Sequence, residues 1–204
     1  AFGFSTVIFA PVARKMLETM EVHSIFRIFA LVFLIIILVF FSFIQNPKSA
    51  NNQKQDLPGV EPLQALKSPN YYLIACSMAL LTMLFFFINP LLIDLAGAKG
   101  ISADIAVIGV MVCGIANASG RLIAPVLSDK IGYKKTIISL LVITMVGGIS
   151  LIFVQGIAFF AIVFLIAMAY GGSSGVFPIA TVSNFGPKNM GTIYGFVMIG
   201  FAVS

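Results

Sequence analysis

Ionisable side chains are few in this chain: 12 lysines and arginines, 7 aspartates and glutamates and one histidine among 204 residues, or 9% charged. A soluble domain carries about a quarter, so a water-facing globular surface is excluded. The single histidine, His23, follows Glu18 and Glu21 in a mixed-charge, solvated connection, which makes it a loop histidine rather than a proton carrier. The two cysteines, Cys76 and Cys113, fall in separate apolar segments without CxxC or histidine spacing. That pattern argues against a disulfide, a metal site or thiol chemistry. No nucleotide-binding glycine loop, zinc spacing or nucleophile elbow occurs, so neither an enzyme active site nor a metal or cofactor is expected. Acidic residues within the apolar runs are confined to Asp94 and Asp104 near segment ends, which leaves no obvious proton carrier. Position 1 is Ala, Phe2–Val12 lacks a signal-peptide n-region, and Gly191–Ser204 stops while still hydrophobic. Together these suggest an internal piece of a longer protein.

What fills the chain instead is hydrocarbon. Hydrophobic residues make up 60%, with 20 phenylalanines, in runs that reach the roughly 20 residues needed to cross a bilayer core. The fold class is therefore all-α and polytopic. Seven apolar segments follow one another: one ending at Arg14-Lys15, then Ser24–Ile44, Tyr71–Ala96, Ile105–Leu127, Thr136–Val154, Ile157–Ile179 and Gly191–Ser204. Between the second and third, Gln45–Asn70 is polar and carries Pro47, Pro58, Pro62 and Pro69. It reads as a flexible connection between two membrane halves, with a short surface helix near Val60–Leu66. Pro90 in the third segment removes a backbone hydrogen bond and should kink or unwind that helix. It serves either as an ordinary kink or as a substrate contact.

The stretch Asn117–Lys135, NASGRLIAPVLSDKIGYKK, carries most of the chemistry. Asn117 and Arg121 are four apart and share a helix face. Arg121 precedes Asp129 by eight residues, which on a helix puts it about 12 Å further into the membrane. An intramembrane cation is costly and is a functional candidate by default; the alternative is an arginine that snorkels to the surface or caps carbonyls. Gly109, Gly114, Ala118 and Gly120 permit close approach of another helix. In the sixth segment, Tyr170-Gly-Gly-Ser-Ser174-Gly175 joins a phenol and two hydroxyls to small residues. Helix packing accounts for its glycines, and a pocket contact for Tyr170 and Ser174 is the competing role. Lys48, Lys54, Lys67, Lys130, Lys134, Lys135 and Lys188 fall on one side of the alternating spans, which should be cytoplasmic.

Pro125-Val-Leu-Ser-Asp129-Lys130-Ile-Gly132-Tyr-Lys134-Lys135 resembles the G-x-L-x-D-R-x-G-R-K motif of the major facilitator superfamily, with Pro125 and Tyr133 as departures. The resemblance implies a fragment of a twelve-helix bundle covering about seven helices. Residues 1–44 would close the N-terminal bundle, 45–70 form the cytoplasmic central loop, and 71–204 hold helices seven to eleven. It also implies a gate, in which Asp129 engages the N-terminus of the helix beginning near Pro187, with Lys130, Gly132, Lys134 and Lys188 around it. More narrowly, Ala118-Ser-Gly-Arg121, Tyr170-Gly-Gly, Phe185-Gly-Pro-Lys-Asn-Met-Gly-Thr-Ile-Tyr194-Gly195 and Lys67-Ser-Pro-x-Tyr-Tyr resemble the oxalate:formate antiporter family. That family's substrate arginine matches Arg121, and its second cation, a lysine, falls at about Phe201. The function implied is secondary active transport of a small organic anion by alternating access, one carboxylate being the better match to one cation. Arg121, Asn117, Tyr170 and Ser174 would hold the substrate. A proton or counter-anion would couple, the plasma membrane would be the location, and the protein would work as a monomer without nucleic acid. The alternatives are a seven-span receptor and a transporter-like solute sensor.

Overall fold

The computed structural model describes residues 9, 12–13, 15–43 and 57–204. They fall into two compact units, one within Ile8–Asp56 and one within Leu57–Ser204. Most of the first apolar segment, together with Arg14, Lys48 and Lys54, lies outside the described residues. All regular elements among the described residues are helices. The first unit holds α1, Val22–Phe41, whose only buried residue is Ile25. Its Phe29 and Phe33 rings each lie 5.7 Å from Phe9. An apolar helix exposed on nearly every face is built for lipid or for other helices.

The second unit contains α2 (Pro62–Lys67), α3 (Pro69–Ala98), α4 (Ala103–Ile131), α5 (Tyr133–Phe153), α6 (Ala158–Phe185) and α7 (Met190–Val203). Among the described residues five helices, α1 and α3 to α6, are long and apolar enough to cross a membrane. At 30 residues α3 extends about 45 Å, beyond a hydrocarbon core of roughly 30 Å. Its start is set by Pro69 at the first helical position and by Ser68, whose Oγ accepts from the Asn70 backbone N–H. The short surface helix expected near Val60–Leu66 is present as α2, shifted slightly to Pro62–Lys67.

Two boundaries differ from the sequence expectation. Helix α6 runs through Pro178 to Phe185 rather than ending near Ile179, and α4 runs through Pro125 to Ile131. The acidic/basic turn is therefore not a loop. Asp129 and Lys130 ride the last turn of α4, Lys134 and Lys135 ride the first turn of α5, and Gly132 alone joins them. Gly132 has φ 88 and ψ 146, a conformation open to glycine and few other residues. Pro90 likewise sits inside α3, which continues to Ala98 as helix. Interior prolines persist in membrane helices because neighbouring helices and side chains take up the freed carbonyls.

The closest helix pairing is α4 against α6, made by small residues on both sides. A Cβ added to Gly120 would strike the carbonyl oxygen of Met168, and one added to Gly171 would strike that of Asn117. Further along, a Cβ on Gly172 would lie 2.8 Å from the Ala124 methyl. In lipid no hydrophobic gain separates helix from helix, so such backbone contact and its dispersion energy supply the association. Two apolar clusters flank this crossing. One, with Met78, Leu81, Phe177, Ile193 and Val197, joins α3, α6 and α7. The other, with Leu92, Ala96, Cys113, Phe159 and Val163, joins α3, α4 and α6 towards the opposite ends of those helices.

Candidate functional site

The helical period puts Asn117 one turn deeper in α4 than Arg121, and the structure joins them. Arg121 Nε donates to Asn117 Oδ1 at 3.0 Å. Asn117 is 8% exposed, and its backbone carbonyl sits against Gly171 of α6. The guanidinium is thus tethered towards the helix interior, away from the Ile131 end to which a snorkelling side chain would reach. Arg121 is half-buried.

Tyr170 of α6 stands at the centre of an aromatic wall. Its ring stacks on Phe85 (4.3 Å, 16°) and meets Phe86 edge-on (5.5 Å, 72°), both from α3. Phe201 of α7 lies parallel to it at 6.4 Å and meets Phe86 edge-on at 5.0 Å. The α4–α6 crossing places the Asn117 carbonyl against Gly171, the residue after Tyr170, so the bonded pair Arg121 and Asn117 lies at the stretch of α6 that carries Tyr170, with Phe201 on the same wall as Tyr170. Ser174 is half-buried, and its Oγ donates to the Gly171 carbonyl at 2.8 Å, as Ser173 Oγ does to Tyr170 at 2.6 Å. The two hydroxyl protons expected to line a pocket are committed to their own helix, which leaves Ser174 only its acceptor lone pairs.

In the charged turn, Asp129, Lys130, Lys134 and Lys188 are all exposed, and Lys134 Nζ stands 6.0 Å from the Tyr133 ring centroid. The helix after Pro187, α7, packs chiefly on α3, with further contact to α6 and α2. The end of the polar connection lies on the α6–α7 turn. The Val60 backbone N–H donates to the Phe185 carbonyl (2.8 Å), and Asn189 Nδ2 donates to the Val60 carbonyl (3.0 Å). Close beside it, Asn184 Nδ2 donates to Tyr133 Oη (3.0 Å) and Asn70 Nδ2 to Asn184 Oδ1 (3.3 Å), linking α3, α5 and α6.

The whole chain, residues 1–204, matches the model of the Major Facilitator Superfamily. This chain belongs to the Major Facilitator Superfamily. It is also 28% identical over 210 residues to the uncharacterized MFS-type transporter YhjX of Escherichia coli (strain K12). That alignment takes in all of this chain and 52% of YhjX, so the chain spans about half the length of the relative. Among the described residues the fold is all-helical with five apolar spans, consistent with a fragment of a major facilitator bundle. The family is one of membrane transporters, not of enzymes. Among the described residues no group of three or more His, Cys, Asp or Glu side chains is placed to hold a metal ion.

Sequence reasoning missed the neighbours of Tyr170: Phe85 and Phe86 went unmarked within a run of apolar residues. No local signal separates Phe86, on the aromatic wall, from Phe87, which points outward at 59% exposure. The link from Asn70 through Asn184 to Tyr133 spans 114 residues and is a product of the fold alone.

Proposed function

We propose that this chain is part of a secondary active transporter of small organic anions, with Arg121 as the partner of the substrate carboxylate. The observation that carries the reading is the tether from Arg121 Nε to Asn117 Oδ1, which holds a permanent cation within a membrane helix at the α4–α6 crossing, next to the stretch that carries Tyr170. A dehydrated carboxylate needs a charge-assisted partner, and arginine offers it a planar, bidentate one. Asn117 positions the guanidinium, Tyr170 supplies a phenol and an aromatic wall, and Ser174 an acceptor. Monocarboxylates such as formate, lactate or pyruvate fit this arrangement better than oxalate. Phe201, where the oxalate:formate antiporter resemblance places a second cation, adds an apolar ring to the wall instead. A second carboxylate there would lie unpaired against phenyl groups.

Transport follows alternating access, with two halves rocking about a midplane site. Residues 1–44 would end the first half, 45–70 connect the halves, and 71–204 supply helices seven to eleven of the second. The surface bearing Lys130, Lys134, Lys135 and Lys188 faces the cytoplasm across the plasma membrane. Coupling is to a counter-anion or a proton, and the protein works as a monomer. The test is uptake of labelled mono- and dicarboxylates into proteoliposomes. Arg121→Gln should lower uptake at least thirtyfold, on the order of a lost charge-assisted pair. Undiminished uptake would remove Arg121 from the site, and absence of counterflow in the wild-type protein would favour a solute sensor.

A further inference from the structure

Where α3 and α5 begin and α6 ends, the fold leaves a cavity of about 310 Å³ that the transport reading does not use. Its lining changes character with depth. Asn70, Tyr133, Lys134 and Asn184, all within a turn of their helix ends, form one end, and no acidic side chain is among the lining residues. About one turn further into the membrane the walls are Leu73, Ile137 and Ile138. Leu73 is 66% and Ile138 60% exposed, so the apolar part opens sideways from the helix ends.

The polar end is built rather than incidental. Asn70 donates to Asn184, and Asn184 donates to Tyr133 Oη, which leaves the phenol proton with no acceptor among the described residues. Lys134 Nζ stands over the Tyr133 ring at 6.0 Å. Lys135 adds positive charge at the start of α5 and Lys130 at the adjoining end of α4, against Asp129 on that same α4 turn and exposed Glu61 beside Val60, which bonds to the end of α6. A tyrosine and lysines at the edge of a span, above an apolar cleft, match the two ends of a lipid in order and in sign.

We infer that this cleft between α3, α5 and α6 binds an anionic phospholipid of the surrounding bilayer. Its phosphate sits among Lys134, Tyr133 and Asn184, and the first carbons of an acyl chain lie along Leu73, Ile137 and Ile138. The bound lipid ties the start of α5 to the ends of α3 and α6. The site is separate from Arg121, so it stands or falls independently of the substrate reading.

Native mass spectrometry of the intact purified protein, titrated with phosphatidylglycerol or phosphatidylcholine of identical chains, tests this. Phosphatidylglycerol should be retained at least fivefold more tightly. Lys134→Gln should weaken it roughly fivefold, the effect of one lysine at a membrane surface. Ile138→Trp, which fills the apolar wall, should weaken both lipids. Both positions are exposed, and unchanged melting temperatures in phosphatidylcholine would show that the variants fold. Equal retention of the two lipids, or no response to Lys134→Gln, would overturn the inference. So would competition by glycerol 3-phosphate as strong as that of the lipid, which would make this a soluble-anion site. Failure of the intact protein to hold any lipid, its cleft covered by another segment, would overturn it equally.

Discussion

Arg121 shows how one hydrogen bond orients a long side chain. Helical side chains lean towards the N-terminus of their helix, and Asn117 waits one turn in that direction with an acceptor at 3.0 Å. Replacing Asn117 with Ala should therefore leave the helix intact but release the guanidinium. The expected outcome is a five- to tenfold rise in KM for the anion with an unchanged melting temperature, since roughly 1–1.5 kcal/mol is the worth of one such bond. A purely structural Asn117 would shift the melting temperature instead. Ser128 is a different case. Its Oγ is buried without a hydrogen-bond partner, in a residue only 5% exposed. An unsatisfied buried hydroxyl costs about 1–3 kcal/mol, so Ser128→Ala should be neutral or raise stability by about 1 kcal/mol, read from thermal melts in detergent.

At the level of elements, glycine has two meanings that sequence spacing does not separate. Gly171 faces the Asn117 carbonyl across the α4–α6 crossing, whereas nothing lies within 4 Å of a Cβ placed on Gly191. Gly171→Ala should push the two helices apart at a cost of about 1–3 kcal/mol. Gly191→Ala should gain the roughly 0.5–1 kcal/mol by which alanine is the better helix former. Paired melting curves check both, and a similar shift for the two would contradict the close crossing. The same crossing carries Asn117, so an alanine at Gly171 should also weaken anion binding by displacing α4. The elements themselves were plain from the residues. Runs of Ile, Leu, Val and Phe with short polar breaks announced α1 and α3 to α6, because a bilayer leaves a helix as the one way to satisfy a lone segment's backbone. Their ends were less plain. Asp129 and Lys130 look like loop residues, yet α4 carries them outward because a 29-residue helix overshoots the hydrocarbon.

For the whole molecule, the lysine-rich ends of α4, α5 and α6 set a polarity that can be measured. With all other cysteines replaced, a cysteine at Lys135 should be shielded from an impermeant maleimide in intact cells. One at Gln155, in the turn between α5 and α6, should react, and both sites are exposed. Reaction at Lys135 in intact cells would reverse the orientation. Membership of the Major Facilitator Superfamily covers the entire chain, while the two compact units mark where its described residues divide, between the unit within Ile8–Asp56 and that within Leu57–Ser204.

The sequence by itself determined the membrane class, the helical segments, and the shared helix face of Asn117 and Arg121. Each of these rests on composition or on a period of a few residues, where backbone geometry alone says which side chains meet. Only the tertiary structure decided that Phe85, Phe86 and Phe201 converge on Tyr170. It also decided that the serines after Tyr170 bond to their own helix, and that α7 packs chiefly on α3. Those outcomes depend on how helices rotate and cross, and in a chain that is apolar on nearly every face no stripe of hydrophobicity records the rotation. The crossing was set by where glycines let two backbones touch, a choice made across dozens of residues rather than along a turn.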